Sequence, residues 1–126
     1  MKRLLLFALL VMSLSAMAQT NPKPFIVPEL TSWQGAEGEL TPSQRIAVKG
    51  SDKELLRIAN LFAEDYQTLT GRAITVVKGS GKAGDIVLQL DKKSTSLGKE
   101  GYELDINTQA VVKAHTPQGA YWATRT

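Results

Sequence analysis

At 126 residues, 43% of them hydrophobic and 21% charged, the chain has room for one domain of ordinary size. It contains no cysteine, which excludes a disulfide framework and lipid attachment through a lipobox cysteine. Its 15 basic residues outnumber 12 acidic ones, but two of the basic residues fall in the first eighteen positions, and the remaining 108 residues carry a net charge of only +1. That balance does not mark a nucleic-acid surface.

Lys2 and Arg3 precede an apolar run from Leu4 to Leu14, and Ala16-Met17-Ala18 follows as a small-x-small cleavage site. This is the layout of a secretory signal peptide over residues 1–18. The apolar run is too short to span the ~30 Å hydrocarbon core of a bilayer. The product is therefore expected to be exported, periplasmic or secreted, with no membrane segment after cleavage.

Residues 19–28 are polar and carry Pro22, Pro24 and Pro28, so they read as an extended lead-in. Residues 29–126 form the expected domain. Strand-like pieces around Leu30–Trp33 and Glu39–Leu40 are broken by Gly35 and Gly38, and Arg45–Val48 is the first clear strand. Ser51-Asp52-Lys53-Glu54 fits a capping box with Ser51 as the cap. Behind it, Leu55, Ile58, Phe62, Tyr66 and Leu69 recur at spacings of three and four, with Ala59 and Ala63 beside them. This pattern predicts a helix over about Asp52–Thr70, ended by Gly71 as a left-handed cap.

Ile74–Val77 is a β-branched run, and Asp85–Leu90 sets Ile86, Leu88 and Leu90 on one side. Tyr102–Ile106 alternates strictly, with Glu103 and Asp105 facing water, and Ala110–Ala114 returns after the polar turn Asn107-Thr108-Gln109. Together they predict a β-hairpin. Thr116 and Pro117 read as the cap and first residue of a second helix. Ala120, Tyr121, Trp122 and Ala123 put apolar residues close to Thr126 with no stop signal between, so the second helix is expected to be cut short by the end of the chain.

No catalytic, cofactor-binding or metal site emerges from these residues. Gly79-Ser80-Gly81-Lys82-Ala83-Gly84 matches G-x-G-x-x-G, but a dinucleotide fingerprint needs a helix after the glycines and a strand follows here. The Walker A pattern fails at Val76 and Ala83, which leaves a flexible loop between strands. His115 is the one histidine, with no cysteine to join it in a zinc site, and reads as a loop residue at a strand end. Glu103 with Asp105, and Glu64 with Asp65, invite comparison with a glycosidase carboxylate pair. Such pairs face each other across a cleft at about 5–5.5 Å in retaining enzymes, whereas these lie on outward faces and read as solvated acids. Trp33, Tyr121 and Trp122 offer a sugar-stacking platform or, more simply, packing against a core or a neighbouring domain.

The segments Gly101–Ile106, Ala110–Ala114 and Gly119–Thr126, in this order, together with Ile26-Val27-Pro28, Gly38-x-Leu40 and the long capped helix, resemble the N-terminal domain that precedes the catalytic barrel of β-N-acetylhexosaminidases of glycoside hydrolase family twenty. The resemblance covers about residues 25–126. It implies an α+β domain, an antiparallel or mixed sheet with two helices on one face, that is non-catalytic and buttresses a (β/α)₈ barrel. The family's enzymes remove terminal non-reducing N-acetylhexosamine by a substrate-assisted mechanism, with a glutamate as acid and base and an aspartate orienting the acetamido group. Both residues belong to the barrel, so Glu64 and Asp65, which have the reverse order within a helix, receive no catalytic role. The implied partners are that barrel and, for the parent enzyme, N-acetylhexosamine-containing glycans. On this reading the chain is a fragment that is inactive alone and needs no cofactor. Two alternatives stay open: a complete small exported module binding glycans or protein, and the same domain attached to another glycosidase.

Overall fold

The computed structural model describes residues 20–126. The signal-peptide reading of residues 1–18 lies outside the described residues. The chain divides into two compact units, Met1–Gly38 and Glu39–Thr126.

In the first unit, the described segment 20–38 contains no regular strand or helix, so the strand-like reading of Leu30–Trp33 is corrected. Asn21 takes up the hydrogen-bonding capacity a ladder would have used. Its N–H donates to the Ala36 carbonyl oxygen at 2.7 Å, its Nδ2 donates to the Gly38 carbonyl oxygen at 2.9 Å, and its own carbonyl oxygen accepts from Trp33 Nε1 at 3.4 Å. Local side-chain bonds of this kind give the backbone an alternative to sheet pairing.

The second unit holds β1 (Arg45–Lys49), α1 (Lys53–Thr70), β2 (Thr75–Lys78), β3 (Ile86–Leu90), β4 (Tyr102–Ile106), β5 (Ala110–Ala114) and α2 (Pro117–Ala123), with a short 3₁₀ turn at Thr95–Leu97. Glu39 and Leu40 form no strand, a second correction, since Gly38 sits before them at φ 85°. The strands make one five-stranded sheet in the order β2-β1-β3-β5-β4. β1 runs parallel to β2 and β3, β3 parallel to β5, and only the β4–β5 hairpin is antiparallel. The fold is therefore α+β with a mixed sheet.

α1 starts one residue later than the capping-box reading places it. Asp52, not Ser51, is the N-cap, and its side chain accepts from the Leu55 N–H at 2.8 Å. A cap of this type is worth about 1 kcal/mol. Glu54 does not reach back to close a box; Arg57 holds it instead, with Nη2 at 2.6 Å. Gly71 ends the helix at φ 71° as expected.

Leu55, Ile58 and Ala59 are buried, and Phe62, Ala63 and Tyr66 pack partly beside them. Leu69 is 85% exposed, so the apolar stripe stops at Tyr66 and Leu69 is corrected to a surface residue. At 100° per residue Leu69 stays on the same side as Ile58 and Phe62; it is exposed because it lies in the last turn of α1, past Tyr66, the last helix residue that packs against the core.

α2 begins as the sequence predicts, with Thr116 as N-cap and Pro117 in the first turn. Its Gly119, Ala120 and Ala123 are buried. A Cβ at Gly119 would run into the Gly101 carbonyl and press on Ala114 Cβ at 3.2 Å. Only glycine lets the helix sit that low on the hairpin.

Both helices cover the same face of the sheet. Ile46, Val48, Leu88, Val112 and Ala114 from the strands share one core with Leu55, Ile58, Ala59, Ala120 and Ala123 from the helices. Burying a Leu, Ile or Val side chain here stabilises the fold by about 1.5–3 kcal/mol. Leu104 and Ile106 lie on this face too, but β4 is an edge strand and leaves them 42% and 49% exposed. The strict alternation of β4 thus marks its faces correctly and overstates how deeply its apolar side is buried.

The opposite face has its own small buried pair, Ala47 and Val87, at 0% and 2% exposure. No helix among the described residues lies over them. β2 and β3 are both parallel to β1 and flank it, so the chain between them must turn back along the sheet and cross β1. Residues 79–85 make that crossing without a helix, passing so close that a Cβ on Gly81 would meet Val87 Cγ2 at 2.9 Å and Ala47 Cβ at 3.2 Å.

Candidate functional site

The glycine segment is the best-built polar feature of the second unit. Asp85, at its end, is 1% exposed. One carboxylate oxygen accepts from Ser43 Oγ at 2.5 Å, and the other accepts from the Lys82 N–H at 2.8 Å and from Arg45 Nη2 at 2.9 Å. Burial pushes the Asp85 carboxyl up, but the bonds from Ser43 and the Lys82 amide and the charge of Arg45 together hold it below its ordinary value of 3.8. The acid is ionised and fully occupied. Across the crossing, Gln109 Nε2 donates to the carbonyls of Ser80 and Lys82, each at 3.1 Å, and the Gly84 N–H donates to the Thr108 carbonyl at 2.7 Å.

These contacts change the reading of Gly79–Gly84. It is not a dinucleotide turn, since β3 follows it, and it is not a free loop either. It is a crossover pinned from both ends, and glycine is placed where the backbone approaches the sheet. The Lys82 amide that a phosphate cradle would use is already spent on Asp85.

The other candidates fall apart on geometry. Glu103 and Asp105 are exposed on β4; Glu103 faces Lys113 Nζ at 3.6 Å, and Asp105 Oδ1 accepts from Asn107 Nδ2 at 2.8 Å. Glu64 is exposed on α1, while Asp65 pairs with Arg125 Nη1 at 2.6 Å. The two acids of each pair have different surroundings and enclose no cleft. His115 sits just past β5 with Nδ1 3.3 Å from the Asp91 carbonyl oxygen. Among the described residues no group of three or more His, Cys, Asp and Glu side chains is placed to hold a metal ion.

Tyr121 and Trp122 are brought together, ring centroids 5.2 Å apart and edge-on at 67°. Arg125 covers the Tyr121 ring at 4.9 Å, so that face is taken by a cation and not open to a sugar. Trp33 belongs to the first unit and is 41% exposed. Between α1 and α2 lies an open groove of about 250 Å³, lined by Glu54, Arg57, Ile58, Pro117, Gln118 and Tyr121. Its one acid is bound by Arg57 through both oxygens, and those bonds hold Glu54 below its ordinary value.

A general acid at neutral pH needs a carboxyl pushed upward by burial without a compensating donor. Glu54, Asp85 and Asp91 are all shifted downward; for Asp91 the Lys93 amide and the Ser94 hydroxyl are the main donors. These three are anchored acids suited to holding structure.

Sequence reasoning missed the Asp85–Arg45 pair. A signal was present: an acid directly after glycine opens a run, Ile86–Leu90, that is apolar but for Gln89, where a solvated residue would gain nothing by burial. No helix among the described residues is long and apolar enough to cross a membrane. The family model described as glycosyl hydrolase family 20, domain 2, matches residues 23–126. No match was found among curated proteins.

Proposed function

The chain belongs to glycosyl hydrolase family 20, domain 2, a supporting domain of hexosaminidases, and from that premise we propose that it serves an exported β-N-acetylhexosaminidase and is inactive by itself. The observation that carries this reading is the match across residues 23–126, which takes in both helices and all five strands. The domain supplies a rigid platform, and the barrel that normally accompanies it supplies the glutamate and aspartate of the substrate-assisted reaction. The substrates on this reading are glycans ending in N-acetylhexosamine, and the leader at residues 1–18 directs the product to the periplasm or the medium.

Two measurements test it. Purified residues 19–126 are expected to release no aryl alcohol from an aryl N-acetylglucosaminide above the rate of buffer; clear turnover overturns the assignment of chemistry to the barrel. Fractionation of cells expressing the chain is expected to yield a product lacking residues 1–18 outside the cytoplasm. A full-length product retained inside refutes export.

A further inference from the structure

We draw no further inference here: the strongest candidate, the outer edge of the sheet where Leu104 and Ile106 of β4 stand half-exposed beyond the helices, is an unpartnered apolar face, and nothing in the structure shows what covers it.

Discussion

Replacing Asp85 with asparagine keeps the shape of the side chain and removes its charge. At pH 7 the native carboxylate receives three hydrogen bonds while 1% exposed. Removing one member of a buried ion pair costs about 3–5 kcal/mol, because the remaining charge is stranded. Arg45 keeps 34% of its side chain in water, so screening lowers that figure. The introduced amide can keep its oxygen on the Lys82 N–H and Arg45 and turn its nitrogen to Ser43 Oγ, which then accepts, so the loss is chiefly that of the charge. We expect D85N to destabilise the domain by about 2–3 kcal/mol, and with about 4–8 °C per kcal/mol in a domain of this size the Tm should fall by roughly 10–20 °C.

The pH dependence fixes the mechanism. The folded-state value of Asp85 lies below 3.8, so its stabilising contribution is complete above the unfolded value and is lost as pH falls through the folded one. Urea unfolding followed by circular dichroism from pH 7 to pH 2.5 should show a constant gap between wild type and D85N above about pH 5, narrowing below 3.8. A gap under about 0.5 kcal/mol at pH 7, or one that keeps its full width at the lowest pH, refutes the reasoning.

Gly81→Ala should cost about 2–3 kcal/mol in the same urea assay, combining a φ of 76° with Cβ contacts at 2.9 Å; a loss below about 0.5 kcal/mol would mean the crossover does not lie against the sheet. Leu88→Ala, at a position 1% exposed in the centre of the sheet, should cost about 3 kcal/mol, read as a lower urea midpoint with an unchanged slope. Leu69→Lys should change stability by no more than about 0.5 kcal/mol, since the side chain is 85% exposed; a large loss would restore the longer apolar stripe.

What could be read from the amino acids followed from local physics. The α1 stripe from Leu55 to Tyr66, its glycine stop, the Asn107–Gln109 hairpin and the Thr116-Pro117 start each depend on residues within a turn or two of one another, and the structure has them all. The parallel order β2-β1-β3-β5 depends on which strands meet across the sheet, and spacing along the chain carries no trace of that. The glycine run shows the difference well. Its pattern reads as a flexible loop once the phosphate motifs fail, and its close approach to Ala47 and Val87 was decided by a sheet face half of which comes from β1, on the far side of α1 in the chain. Asp52 displaced Ser51 as the cap because either side chain suits that position and backbone geometry selects one. For the site, the sequence supplied exposed acids and a lone histidine, and the structure keeps them apart; the buried acid that matters stood outside the motif.

The two acids on the edge strand β4 carry a last consequence. Were a second molecule to approach edge to edge and antiparallel, centred on Leu104, its Asp105 would lie across from Glu103 and its Glu103 across from Asp105. Like charges directly opposed on one face weaken such a ribbon, and Lys113, which answers Glu103, stands one strand further in. This edge of the sheet therefore repels its own image, a safeguard against runaway stacking of the kind exposed edge strands need.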